Sequence, residues 1–152
     1  MREVESDIAK RIEGEIARLH AYFVVWFAGS CAKDRAQFDA NVTLHLGHEF
    51  ELIAPGGGRH GRAAIADAIY AAHATNPAFQ IAIRAFSPRM ACGELVLVTY
   101  EEWQKGAKSS TPPENGRISS ALFRVGEAKL EWVHIHETWL PAEVIAAAND
   151  DL

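Results

Sequence analysis

The sequence predicts an α+β domain, and three features of its 152 residues carry that prediction. The first 28 residues repeat apolar side chains at helical spacing. From residue 79 onward the spacing changes to the alternation of strands, in four runs separated mostly by short turns. Helices first and antiparallel strands afterwards is the segregated order of α+β proteins.

The opening helix is expected over residues 4–28, where Ile8, Ile12, Ile16, Leu19, Phe23, Trp26 and Phe27 form one stripe. Gly29 supplies its stop, and Ser30 is available to cap the next helix. Residues 31–53 fit two descriptions, because Phe38, Val42 and Leu46 suit a helix while 42–52 also alternate. A helix ending near Leu46, a break at Gly47 and a first strand over 48–53 is the preferred division. Pro55 and the three glycines after it force a turn. A further helix is expected over 61–75, with Ile65, Ala68, Ile69 and Ala72 inward, closed by Asn76-Pro77.

Strands are expected over 79–88, 94–104, 117–125 and 130–140. The connections at 90–93 and 126–128 are hairpin turns. Residues 105–116, KGAKSSTPPENG, have the composition of a mobile tip projecting from the sheet. A last helical turn is expected through Ala148, before an acidic, frayed end.

One domain is the natural count for this length. A net charge of −5 and scattered Arg and Lys argue against a nucleic-acid surface. No apolar run is long enough for a bilayer, and the charged start MREVESDIAKR does not read as a signal peptide, so a cytoplasmic location is expected. Cys31 and Cys92 are far apart and read as reduced thiols.

The word FELIAPGGGRHGRAAI resembles the strand, proline-glycine turn and Gly-Arg-x-x-Ile helix start of SnoaL-like domains, in the nuclear-transport-factor-2-like superfamily. LEWVHIHETWL resembles their closing strand, and its His-x-His is similar to the last strand of calcium/calmodulin-dependent kinase association domains. The resemblance covers residues 12–141. It implies a conical half-barrel: a strongly curved, mostly antiparallel sheet wrapped against the first helix and open at one end. It also implies a pocket, lined by Tyr22, Trp26, Phe50, Tyr100, Glu102, His134 and His136. Tyr22 is placed like the helix tyrosine of the steroid-isomerase branch, but the acidic partners of that branch have no clean match here.

Alternation puts Val96, Val98, Tyr100 and Glu102 on one strand face. In the closing strand it puts Trp132, His134, His136 and Thr138 on one face, with Val133, Ile135, Glu137 and Trp139 on the other. A carboxylate on a covered face needs a partner. His134 or His136 is therefore the expected partner of Glu102 or Glu101, in a pair suited to acid/base work. The two histidines lack a convincing third metal ligand, and GGGRHG is no phosphate loop, so neither metal nor cofactor is expected.

The resulting expectation is a domain that binds, and by acid/base chemistry transforms, a small apolar molecule. The alternative is a non-catalytic assembly module. With apolar residues on both strand faces, a homodimer through the outer sheet face is expected, with Trp103 or Trp139 among its anchors.

Overall fold

The structure, a computed structural model, describes residues 1–148. The acidic end at 149–152 therefore lies outside the described residues. The elements in order are α1 (Ser6–Ala28), α2 (Arg35–Asn41), a 3-10 turn (Thr43–His45), β1 (Leu46–Ile53), β2 (Arg59–Gly61), α3 (Arg62–Ala71), β3 (Gln80–Cys92), β4 (Leu95–Lys105), β5 (Asn115–Val125), β6 (Leu130–Trp139) and α4 (Ala142–Ala148).

One six-stranded sheet runs β2-β1-β6-β5-β4-β3. All neighbours are antiparallel except β1 and β6, which run parallel. The sheet curls around α1 without closing, which is the predicted half-barrel. Ile12, Ile16 and Leu19 of α1 enter a core with Phe50, Val96, Val98, Phe123 and Trp132. Burying each such side chain is worth roughly 1.5–3 kcal/mol, so packing rather than propensity holds α1 in place.

Helix α1 ends where expected. Gly29 adopts φ 72°, and its N–H bonds to Trp26 O at 3.0 Å. A Cβ at Gly29 would stand 2.6 Å from Ala74 Cβ, so this position needs glycine for its conformation and for its space. Ala74 N–H and Asn76 N–H then donate to Trp26 O and Phe27 O, tying the lead-in to β3 onto the end of α1.

The ambiguous stretch resolves as a helix, a 3-10 turn and a strand that starts at Leu46. Asp34 caps α2 by accepting from Gln37 N–H at 2.9 Å. Arg62, opening α3, donates to Leu46 O and Thr43 O, each at 3.0 Å, and pins the start of β1. The short strand β2 has no counterpart in the sequence pattern, because its three residues carry no periodic signal. Strand β3 runs past Pro88 to Cys92, tolerable because it is an edge strand.

Residues 105–116 do not project. Ala107 is 3% exposed and its N–H bonds to Pro113 O at 3.2 Å. Asn76 Nδ2 donates to Gly106 O at 2.7 Å, and Lys108 Nζ to Thr75 O at 2.6 Å. Composition predicted a free tip because the segment has no large apolar residue. A single buried alanine and these hydrogen bonds fold it back instead.

Candidate active site

Registers across β4, β5 and β6 stack the inward side chains in rows. Val96–Phe123–Trp132 and Val98–Ala121–Ile135 are apolar, and all but Ile135 are essentially buried. The next rows are Tyr100–Ser119–Glu137, then Glu102–Arg117–Trp139, then Gln104–Asn115. The inside of the cone thus passes from apolar to polar along its axis. Where the polar rows begin, side chains no longer fill it, and a cavity of about 610 Å³ opens. Phe23, Phe27, Leu52, Ile65 and Ile69 form its apolar wall, while His20, Tyr100, Glu102, Arg117 and Glu137 supply polar lining. Residues 107–110 and the turn at Pro55-Gly56 also border it. Such an apolar concavity with a few convergent polar groups is the usual form of a small-molecule site.

The polar groups form one network. His20 Nε2 lies 2.8 Å from Glu102 Oε1, and His20 Nδ1 lies 2.7 Å from Ile16 O. A carbonyl can only accept, so Nδ1 carries a proton. The short Nε2–Oε1 contact then holds one further proton between the two residues. Gln104 Nε2 donates to Glu102 Oε2. Arg117 lies 3.2 Å from Glu137 Oε1 through Nη1, and its Nη2 donates to Gln104 Oε1 and Asn115 Oδ1, each at 3.3 Å. Ser119 Oγ donates to Glu137 Oε2 at 3.0 Å. Among the described residues, Arg117 Nε is the buried side-chain polar atom that makes no hydrogen bond; it sits 3.9 Å from Glu102 Oε2.

These contacts shift the titration of the buried groups. Burial alone would lower the His20 pKa, but the Glu102 charge and hydrogen bond outweigh it and the pKa is raised. Burial alone would raise Glu102, but His20, Arg117 and Gln104 outweigh it and hold Glu102 below the ordinary carboxylate range. The two directions agree on an imidazolium–carboxylate pair. Glu137 moves the other way, raised by burial and by the nearby Glu102 charge against the pull of Arg117 and Ser119. Burial first, then both carboxylates, push the Tyr100 phenol well above 10.0. Glu102 and Glu137 are thus shifted in opposite directions within one cavity, a pattern found both in acid/base sites and in structural ion-pair networks.

Of the residues expected in the pocket, Phe50, Tyr100 and Glu102 line the cavity. Tyr22, Trp26, His134 and His136 do not. Trp26 is 1% exposed and wedged among Phe38, Tyr70 and His73, its Nε1 donating to Ile69 O at 2.8 Å. Tyr22 stacks on Trp26, ring centroids 6.0 Å apart.

The histidines miss the cavity for a definite reason. Leu122 pairs with His134 and Phe123 with Trp132, so Val133 is an extra residue in β6. Such a bulge shifts the parity of the alternation. Trp132 faces inward before it, Ile135, Glu137 and Trp139 face inward after it, and His134 and His136 turn to the outer face. The expected pairing of Glu102 with His134 or His136 is therefore corrected to Glu102 with His20. Sequence did hold a signal for His20: it stands on the apolar stripe of α1, four residues after Ile16 and three before Phe23. Arg117 and Glu137, by contrast, show as interior only once the register is known.

No family model matches the chain, and no curated protein matches it. Solved structures do. An NTF2-like protein of unknown function from Pseudomonas aeruginosa matches with TM-score 0.73 at 23% identity, over 88% of this chain and 99% of that one. An uncharacterised protein with a cystatin-like fold from Caulobacter vibrioides matches with TM-score 0.57 at 19% identity, over 89% and 91%. A candidate dehydratase of the NTF2-like family from Streptomyces avermitilis matches with TM-score 0.63 at 14% identity, over 88% and 96%. The chain has the NTF2-like, cystatin-like cone fold. That likeness is one of fold, and no specific activity comes with it.

Proposed function

We propose that this chain binds a small, largely apolar molecule in its cone and exchanges a proton with it through the His20–Glu102 pair. The observation that carries this reading is a cavity of about 610 Å³, apolar on one side and with the His20–Glu102 ion pair in its wall. In the simplest chemistry, a C–H bond beside a ligand carbonyl breaks. Its proton passes to the Glu102 carboxylate, and its electron pair moves to the carbonyl oxygen as an enolate. His20 holds the carboxylate in place through the exchange.

The test is thermal melting of the wild type against a panel of small apolar ketones, alcohols and acids. At least one compound is expected to raise the melting temperature, and Ala72→Phe, which fills the cavity from the end of α3, is expected to abolish that rise. A stabilising ketone should exchange its acidic protons for solvent deuterium with the wild type and not with Glu102→Gln. A panel without effect, or a shift that survives Ala72→Phe, would overturn the binding reading. Exchange unchanged in Glu102→Gln would overturn the chemistry.

We also propose a homodimer through the outer face of the sheet, in the same location expected from sequence, cytoplasmic. Supporting it, that face carries the row Met90–Leu97–Leu122–His134, half-buried to exposed in the single chain. We place its anchors in that row and not at Trp103 or Trp139. Trp103 is 3% exposed, with the Arg84 guanidinium over its ring, and Trp139 belongs to the inner Glu102–Arg117 row. Sedimentation of the wild type as a monomer at micromolar concentration, or Leu122→Glu leaving a dimer intact, would refute the dimer.

A further inference from the structure

We infer that the cavity selects an uncharged ligand, an apolar frame bearing a neutral oxygen function such as a ketone, alcohol or lactone, and excludes the corresponding carboxylates and amines. The inference rests on the small-molecule reading above and concerns which class of molecule that site accepts.

Its basis is how the charges on the wall are closed against one another. Four ionisable side chains of opposite sign line the cavity: His20, Glu102, Arg117 and Glu137. His20 and Glu102 share one proton across 2.8 Å, beyond the one Nδ1 gives to Ile16 O. Wherever that proton sits, the pair has no net charge. Arg117 stands 3.2 Å from Glu137 Oε1, and Ser119 supports the other carboxylate oxygen at 3.0 Å. The remaining guanidinium donors of Nη2 go to the side-chain oxygens of Gln104 and Asn115. Each cation thus has its own anion, and the neutral amides wrap both pairs. Lys108 and His60 also border the cavity, but both are exposed, and Lys108 is hydrogen-bonded to Thr75 O. Their fields are screened by solvent.

A charged head group entering this wall finds no surplus opposite charge. To be matched it must take a partner from Glu102 or Arg117, leaving another buried charge alone. A neutral oxygen needs one hydrogen bond and disturbs neither pair. The apolar side of the cavity, from Phe23, Phe27, Leu52, Ile65 and Ile69, meets the rest of the frame by burial alone.

The experiment compares matched triplets that share one frame: 2-acetylnaphthalene, 2-naphthoate and 2-naphthylmethylamine, and decan-2-one, decanoate and decylamine. Binding is read by calorimetry and thermal shift at pH 7. The neutral member is expected to bind at least about tenfold more tightly than the acid or the amine. A neutral molecule also partitions better into any apolar cavity, so a variant separates the two causes. Glu137→Gln keeps the shape and leaves Arg117 unmatched, and it should move the preference toward the carboxylate by about tenfold or more. An acid or amine that binds the wild type as tightly as its neutral partner would overturn the inference. So would a preference that Glu137→Gln leaves unmoved. If no member of either triplet binds, and the wider ketone and alcohol panel is also silent, the small-molecule reading itself fails and this inference with it.

Discussion

Replacing His20 by Leu isolates what the buried pair contributes. The substitution keeps the apolar stripe of α1 and removes the group 2.8 Å from Glu102 Oε1. Stripping one partner from a buried ion pair costs roughly 3–5 kcal/mol, because the other charge stays behind. Glu102 would keep Gln104 and the Arg117 guanidinium 3.9 Å away, so a loss of about 3 kcal/mol is expected. Glu102→Gln is the contrast. A Gln amide can donate to a neutral His20 Nε2 while its carbonyl accepts from Gln104, so every hydrogen bond has a successor and the loss should stay near 1 kcal/mol. The pH dependence carries an independent sign. His20 is raised in the fold, so its contribution is full below the ordinary value of 6.5 and is lost as pH rises through the raised value. Glu102 is lowered, so its contribution is full above 4.5 and is lost as pH falls through the lowered value. The stability difference between wild type and Glu102→Gln should therefore be widest between pH 4.5 and 6.5 and narrow on both sides. Urea unfolding at several pH values measures it. His20→Leu costing under about 1 kcal/mol, or a difference that keeps widening above pH 8, would refute the pairing.

Gly29→Ala should cost at least about 1–2 kcal/mol by thermal melting, since φ 72° disfavours a Cβ and Ala74 Cβ occupies its place. Ala107→Asp should destabilise the fold by about 2 kcal/mol, because it buries a carboxylate where residues 105–116 dock; a neutral result would mean that the segment is loose, as its composition suggests. His136→Gln lies on the outer face and should leave ligand stabilisation unchanged, whereas any loss of ligand binding would return the histidines to the cavity.

Legibility in the sequence depended on how local each signal was. The stripe and glycine stop of α1, the short hairpins and the alternation that puts Val96, Val98, Tyr100 and Glu102 on one face of β4 rest on local spacing, and each appears in the structure. The closing strand failed at one residue. Val133 is a good strand former, and nothing in LEWVHIHETW marks it as a bulge. Yet one inserted residue inverts the face of everything beyond it, which removed two histidines from the site and added Glu137. His20 was legible by a simple test, a titratable residue on an apolar helical stripe. The packed 105–116 segment was not, because its anchors are backbone groups that composition does not see.

The row order inside the cone explains how one small domain holds a charged cavity. Apolar rows from Val96 to Ile135 pack against α1, so much of the hydrophobic stabilisation lies at that end of the cone. Rows from Tyr100 to Asn115 are then free to carry polar groups. Those groups are still buried, and a buried charge without a partner would cost several kcal/mol. Closing them pairwise, His20 with Glu102 and Arg117 with Glu137, lets the polar end remain open space instead of collapsing onto itself. On the reading proposed above, the same closure that makes the cavity tolerable for the fold also decides what it rejects. A ligand competes with internal partners for each charge and with water alone for the apolar wall, so binding strength should follow the frame and selectivity the head group.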